Sequence, residues 1–209
     1  MTTPLPADAE TLFARLRDSL KDALGASCNG QAQEGPDALA GVDPTMPVGE
    51  SAAGSGSEAA QAGSAEAPAF IGIHTGGAWL AARLHAELGL SSPLGFLSSA
   101  FYRDDVQARG LSMRMQPTRI DFDVNGRDIV LVDDILHTGR TIRAALNEIF
   151  DYGRPARVRL AVLIDRGGRE LPVQPDHVGT RLVLQPGEKL ALSQRTNGMF
   201  ELRVESVQA

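Results

Sequence analysis

Two adjacent carboxylates, Asp133 and Asp134, follow the apolar run Ile129–Val132 and precede Ile135-Leu136-His137-Thr138-Gly139-Arg140-Thr141. Paired carboxylates at the carboxyl end of a strand suit cations or sugar hydroxyls. The Thr-Gly-Arg-Thr stretch falls where a helix is expected to open, at about Thr141. Free backbone N–H groups and the dipole at such a helix N-terminus favour an anion. Gly139 permits close backbone approach, the hydroxyls of Thr138 and Thr141 donate, and Arg140 adds charge. One short string therefore offers acceptors for a hydroxylated ring and donors for its phosphate, and a phosphorylated sugar matches both halves. An acidic pair after a strand also occurs in receiver domains and many metal sites, so the pair alone is weak evidence. The string is not a Walker loop, because no Gly-Lys-Ser/Thr follows.

The elements that must position this string read as an α/β domain. Helical spacing of Leu12, Phe13, Leu16, Leu20 and Leu24 predicts a helix over Ala7–Leu24. A short apolar strand is expected at Ala69–Ile73, a helix at Ala78–Leu88 stopped by Gly89, and a strand within Leu94–Phe101. Asp105–Pro117 reads as a loop and Asn125-Gly126 as a turn before the strand Ile129–Val132. A helix from about Thr141 to Gly153, a strand Arg157–Ile164 and a hairpin around Asn197-Gly198 complete the pattern. Strands alternating with helices imply a mostly parallel central sheet flanked by helices, with a C-terminal β-hairpin. The ligand is then expected beyond the carboxyl ends of the strands.

Composition narrows the class. The 209 residues include one cysteine, Cys28, so neither a disulfide framework nor a multi-cysteine metal site is expected. No apolar run reaches the ~18–20 residues of a membrane span, and Met1–Asp8 lacks the basic and apolar regions of a signal peptide. A cytoplasmic protein is the expectation. Residues 25–68 differ from the rest: they are rich in Ala, Gly, Ser and Pro and contain no Lys, Arg or aromatic residue. Their six acids (Glu34, Asp37, Asp43, Glu50, Glu58 and Glu66) account for the whole net charge of −6. Such a composition buries too little apolar surface to offset its ordering entropy, so residues 25–68 are expected to be a disordered insert in a single domain spanning 1–209.

The string Val130–Thr141 closely resembles the phosphoribosyl-pyrophosphate signature of type I phosphoribosyltransferases. Ile71-Gly72-Ile73-His74-Thr75-Gly76-Gly77 is similar to their pyrophosphate loop, and Phe101–Asp105 to the start of their flexible catalytic loop. Asp151–Pro155 together with Leu163–Pro172 resembles the PyrR family, pyrimidine-operon regulators that are also uracil phosphoribosyltransferases. The resemblance covers about Ala69–Thr180.

It implies transfer of phosphoribose from phosphoribosyl pyrophosphate to uracil, giving UMP and pyrophosphate. Asp133 and Asp134 would bind the ribose hydroxyls directly or through Mg²⁺, with Ile135 beside them. Thr138, Gly139, Arg140 and Thr141 would hold the 5′-phosphate. Thr75, Gly76 and Gly77 would present backbone donors to the pyrophosphate, and Arg103 would fold over it. The base would meet Asp165, His177 and Val178. Asp165 is an acceptor where purine enzymes carry a lysine, which favours a pyrimidine over hypoxanthine or guanine. The resemblance also implies a homo-oligomer and RNA as a partner, with Arg154, Arg157, Arg159, Arg166 and Arg169 as the candidate basic face. Neither a membrane nor a membrane partner is implied.

Three positions depart from the family pattern. Gly76 replaces a cation of the pyrophosphate loop, Gly168 stands where many members have histidine, and the first helix lacks a His-Glu pair. The complete sugar-phosphate motif also suits a nucleotide-sensing regulator that performs no catalysis.

Overall fold

A computed structural model describes residues 3–28, 67–98 and 116–206. Five parallel strands form the central sheet: β1 (Ala69–Ile73), β2 (Leu94–Leu97), β3 (Asp128–Leu136), β4 (Arg157–Asp165) and β5 (His177–Arg181). Their spatial order is β2-β1-β3-β4-β5. Among the described residues three helices flank it, α1 (Ala9–Cys28), α2 (Gly76–Glu87) and α3 (Arg140–Tyr152). The antiparallel hairpin β6 (Glu188–Gln194) and β7 (Phe200–Ser206) forms a second sheet.

Both faces of the parallel sheet are covered, which is why its strands read as continuous apolar runs. Phe70, Val130, Val132, Ala161 and Leu163 face α1, α2 and the hairpin. Their sequence neighbours Ile71, Ile129, Leu131, Leu160 and Val162 face α3 through Ile142, Ala145 and Ile149. The period of two along each strand thus sorts one sequence into two cores.

Several expected boundaries move. α1 continues to Cys28, so the helix overruns the expected start of the acidic insert at residue 25; residues 29–66 lie outside the described residues, as does the catalytic-loop stretch Phe101–Asp105. α2 opens at Gly76 rather than Ala78. β3 runs on to Leu136, because its ladder to β4 continues as far as the pair Leu136–Asp165. β5 was not expected as a strand at all. It is short and interrupted by Gly179, and it exists through pairing with β4 and cover by α1. A Cβ on Gly179 would lie 2.6 Å from the Leu163 carbonyl oxygen and 2.8 Å from that of Leu12. Further along α1, Ser19 Oγ lies 3.0 Å from Nδ1 of His177. α1 therefore runs against the strand direction and ends at the amino edge of the sheet, the edge at which β1 begins. The hairpin forms as expected, but Asn197-Gly198 sits within a longer connection between Gln194 and Phe200. No helix among the described residues is long and apolar enough to cross a membrane.

One side chain joins three of these elements. The Arg83 guanidinium of α2 lies 4.4 Å from the Phe13 ring centroid and 5.1 Å from that of Phe200. It pairs with Glu10 of α1 at 2.7 Å and with Glu87 at 2.8 Å. Glu10 in turn accepts the Phe200 backbone N–H at 2.6 Å. Hydrogen bonding from Arg83 holds the Glu10 carboxyl below its ordinary pKa. For Glu87 burial acts upward, but the bonds from Arg83 and Arg17 outweigh it.

Below the ordinary glutamate value of 4.5 the unfolded chain binds these protons first, so the contribution is complete above that value. It is lost as pH falls through the depressed native values. Replacing Arg83 with Met is expected to cost roughly 1–2 kcal/mol at neutral pH in denaturant unfolding. It should also make the acid-side fall in stability shallower. An unchanged acid limb would show that Arg83 does not set these carboxyl groups.

Candidate active site

The strand order places a topological switch between β1 and β3, since the chain leaves β1 through α2 towards β2 and returns to the other side at β3. A crevice opens at the carboxyl ends of two such strands. It is bordered here by His74–Gly77 after β1 and by Asp133–Thr141 at the end of β3.

The two glycines that open α2 are what bring these segments together. A Cβ on Gly77 would fall on the carbonyl oxygen of Val132 and lie 2.9 Å from Cα of Asp133. One on Gly76 would fall on Oδ2 of Asp134 and lie 2.9 Å from its Cβ. The N-terminus of α2 therefore rests on β3 at a distance only glycine permits. Thr75, at the N-cap, makes no side-chain capping bond. The peptide between His74 and Thr75 is cis. The His74 ring lies 5.6 Å from that of Phe96, and burial lowers its pKa.

Both carboxylates are more than nine-tenths buried and lie within β3 rather than after it. Oδ1 of Asp133 accepts the Asp134 N–H at 3.0 Å, and Oδ1 of Asp134 accepts the Ile135 N–H at 2.9 Å. These bonds orient the two side chains. Oδ2 of Asp134, against Gly76, accepts no hydrogen bond among the described residues.

Beyond Leu136 the chain turns through His137 and Thr138 to Gly139, whose φ of +90° is a left-handed conformation that favours glycine. α3 starts at Arg140 with no side-chain cap. Thr138 is buried, and its Oγ1 accepts the Arg140 N–H at 3.3 Å. The Arg140 guanidinium turns outward to Glu170, with bonds of 2.8 and 2.6 Å. The positive end of α3 is thus left to its backbone N–H groups and the hydroxyl of Thr141.

A strap, residues 166–171, crosses this turn. The Thr138 carbonyl accepts the N–H groups of Glu170 and Leu171 at 3.0 and 3.1 Å, and the Leu136 carbonyl accepts that of Arg166 at 3.0 Å. Arg169 donates to the carbonyls of His137 and Val173 at 2.8 and 2.9 Å and pairs with Asp165 at 2.7 Å. Gly167 and Gly168 are both left-handed. At Gly168 a Cβ would also strike the His137 ring, 2.8 Å from Nε2. The strap was not anticipated as part of the site; its consecutive glycines were the available signal.

Of the expected site residues, the structure gathers Thr75, Gly76, Gly77, Asp133, Asp134, Ile135, Thr138, Gly139, Arg140 and Thr141 around the crevice, with Asp165 at the neighbouring strand end. The Asp165 carboxylate is engaged by Arg169 and by the Gly167 N–H at 3.0 Å, so it is a support for the strap. His177 and Val178 are not brought to the crevice. His177 pairs with Ala161 and Val178 with Val162, whereas Asp165 at the carboxyl edge pairs with Arg181. His177 therefore lies four residues below that edge, roughly 13 Å along the strand. It is buried beside Ser19, and burial, assisted by the charge of Arg159, lowers its pKa against the opposing effect of Asp176. Arg103 lies outside the described residues.

The chain matches the phosphoribosyl transferase domain family over residues 54–183. It is 57% identical over 128 residues to the bifunctional protein PyrR of Nitrosococcus oceani, a match covering 60% of this chain and 72% of that protein. It is 54% identical over 127 residues to the bifunctional protein PyrR of Pseudomonas aeruginosa, covering 61% and 75%. A hypoxanthine-guanine phosphoribosyltransferase from Bacillus anthracis superposes with a TM-score of 0.54 at 14% identity, covering 87% of this chain and 85% of that one, and so shares the fold.

The glycine contacts give a direct test. Gly77→Ala meets backbone on β3 and is expected to cost on the order of 1–3 kcal/mol in denaturant unfolding. Gly76→Ala meets a side chain that can rotate and should cost less. Equal losses would mean that the approach of α2 to β3 is not what these glycines protect.

Proposed function

The chain belongs to the phosphoribosyl transferase domain family, within it to the PyrR proteins, and we propose that it transfers phosphoribose from phosphoribosyl pyrophosphate to uracil. The observation that carries this reading is the placing of two uncapped helix N-termini, those of α2 and α3, on either side of a buried carboxylate pair. Helix N-termini hold phosphate groups, and a carboxylate pair between them holds what joins the phosphates, a ribose. Gly76 and Gly77 would face the pyrophosphate, Asp133 and Asp134 the ribose hydroxyls, and Thr138, Gly139 and Thr141 the 5′-phosphate.

In the reaction the bond from ribose C1′ to the pyrophosphate oxygen breaks, the bond from C1′ to uracil N1 forms, and the N1 proton is released. The transition state carries positive charge at the ring, which the Asp133–Asp134 pair stabilises while the helix ends hold the two anionic groups apart. No side-chain nucleophile is needed; positioning and electrostatics supply the rate. The donor set also fits Mg²⁺, with hard carboxylate oxygens and an Asp134 Oδ2 that accepts no hydrogen bond among the described residues. Asp133 and Asp134 would hold the ion, and water and substrate oxygens would have to complete its ligands. Bound there, it would neutralise charge on the departing pyrophosphate.

The basic face proposed for RNA receives less support. Arg157 pairs with Asp128 at 2.5 Å, Arg154 donates to the Phe150 carbonyl at 2.6 Å, Arg169 is held by Asp165, and the Arg159 side chain is 13% exposed. Four of the five arginines are thus engaged or covered, which favours the transferase over a nucleic-acid-binding role for this face. A cytoplasmic location suits substrates of this kind.

Labelled uracil, hypoxanthine, guanine and orotate, each with phosphoribosyl pyrophosphate and Mg²⁺, test the reading. Uracil is expected to exceed the purines at least tenfold in kcat/KM, about 1.4 kcal/mol of discrimination. Asp134→Asn should reduce turnover with the melting temperature retained, and Thr141→Ala should weaken UMP binding by roughly 1.5–3 kcal/mol. Equal purine turnover would assign another base, and tight UMP binding without any turnover would assign a sensor.

A further inference from the structure

We propose that His137 is a positioning residue for the 5′-phosphate cradle, its imidazole seated on Gly168 and setting the distance at which the strap 166–171 holds the turn 138–141. The inference rests on the transferase reading above and deepens it, since that reading leaves the His137 side chain without a part.

From His137 to Arg140 every residue meets the strap or the chain just after it. The His137 carbonyl accepts a hydrogen bond from Arg169, and the Thr138 carbonyl accepts the N–H groups of Glu170 and Leu171. A Cβ on Gly139 would lie 3.3 Å from the Val173 side chain and 3.4 Å from Cβ of Leu171, so the left-handed residue is in contact as well. The Arg140 guanidinium reaches Glu170. The backbone donors that would hold the phosphate are thus braced by the strap. Hydrogen bonds weaken within a few tenths of an ångström, so a displaced strap is felt at those donors.

The contact of His137 with Gly168 differs from the others, because a side chain of the turn stands where one of the strap would be. A Cβ on Gly168 would come 2.8 Å from Nε2 of the imidazole and 2.9 Å from Cδ2. A Cβ on Gly167 would meet nothing within 4 Å, although the two glycines share the same left-handed backbone, with φ of +70° and +69°. Both glycines avoid the strain of that conformation, but only Gly168 also makes room for a ring. The main-chain anchors lie on either side of it: Arg166 is bonded to Leu136, and Glu170 to Thr138. Between them the strap has two permissive residues in succession, and the imidazole fills the space against the second. A filled contact resists compression and collapse alike, which is how one side chain can fix a spacing.

The two glycines supply the test, since Gly167→Ala incurs the backbone strain without the collision. In calorimetric titration of the full chain with UMP, Gly168→Ala is expected to lose about fivefold more affinity than Gly167→Ala, and His137→Ala alone to lose about fivefold. With His137→Ala already in place, Gly168→Ala should cost no more than Gly167→Ala. His137→Phe keeps a ring on Gly168 and should stay within twofold of the parent. For uridine, which lacks the phosphate, each of these variants should stay within twofold of its parent. Equal losses for the two glycine variants, additive losses in the double variant, or a His137→Phe protein as weak as His137→Ala would each overturn the inference. So would equal losses for uridine and UMP, which would make the contact a general support of the fold. All of these leave the transferase reading intact, whereas a parent that binds UMP no better than uridine would overturn that reading's placement of the phosphate.

Discussion

The closeness of α2 to β3 is the constraint on which the site depends. At Gly77 the helix backbone meets the strand backbone with no room for a methyl group, and at Gly76 it meets the Asp134 side chain in the same way. Because of this contact, an uncapped helix end and two buried carboxylates share one crevice. A bulkier residue would separate them by the width of a side chain, and the positive end of α2 would no longer act on the same ligand atoms as Asp133 and Asp134. The dipole effect fades within one turn, so such a displacement matters.

The opposite wall is built by different means. The strap 166–171 is held by main-chain hydrogen bonds to Leu136 and Thr138, by the Arg169 fork, and by the packing of His137 on Gly168. Its left-handed glycines leave it conformationally permissive, and its partners on β3 and the following turn remove that freedom. The phosphate cradle and the strap consequently form one unit. A distortion in either is carried to the other through Thr138, whose carbonyl accepts two of the strap's N–H groups. Asp165 and Glu170 contribute as supports, one orienting Arg169 and the other drawing Arg140 away from the helix end.

Much of this was legible in the residues themselves. β1 runs over Ala69–Ile73 as the apolar run predicts, and α1, β4 and the hairpin follow from periodicity, since burial on one face or two leaves its mark in the pattern. The string from Asp133 to Thr141 was legible because its residue types and their order carry its chemistry, although its contacts reach Gly76 and the strap 166–171. What was not legible depends on register. Nothing in Pro175–Gly179 reveals that His177 pairs with Ala161, below the carboxyl edge, so its aromatic character suggested a place beside the base that the strand pairing denies it. The engagement of Asp165 by Arg169 and the packing of Gly168 on His137 were hidden for a related reason. They depend on how a permissive loop closes over another segment, which no local preference specifies.

The course of α1 has a consequence for how such a chain can change. α1 descends against the strand direction and delivers Cys28 to the amino edge of the sheet, the edge where Ala69 pairs with Ile129. The crevice lies at the other edge, the length of β1 away, about 17 Å. The fold therefore separates its two liberties. Chain length can be added or lost between α1 and β1 for a cost that grows only with the logarithm of the number of residues. The carboxyl edge, where a helix end meets a carboxylate with no room for a methyl group, is not the edge to which that connection attaches. Both ends of this connection, Cys28 and Ala69, therefore attach at the pole of the fold opposite its chemistry.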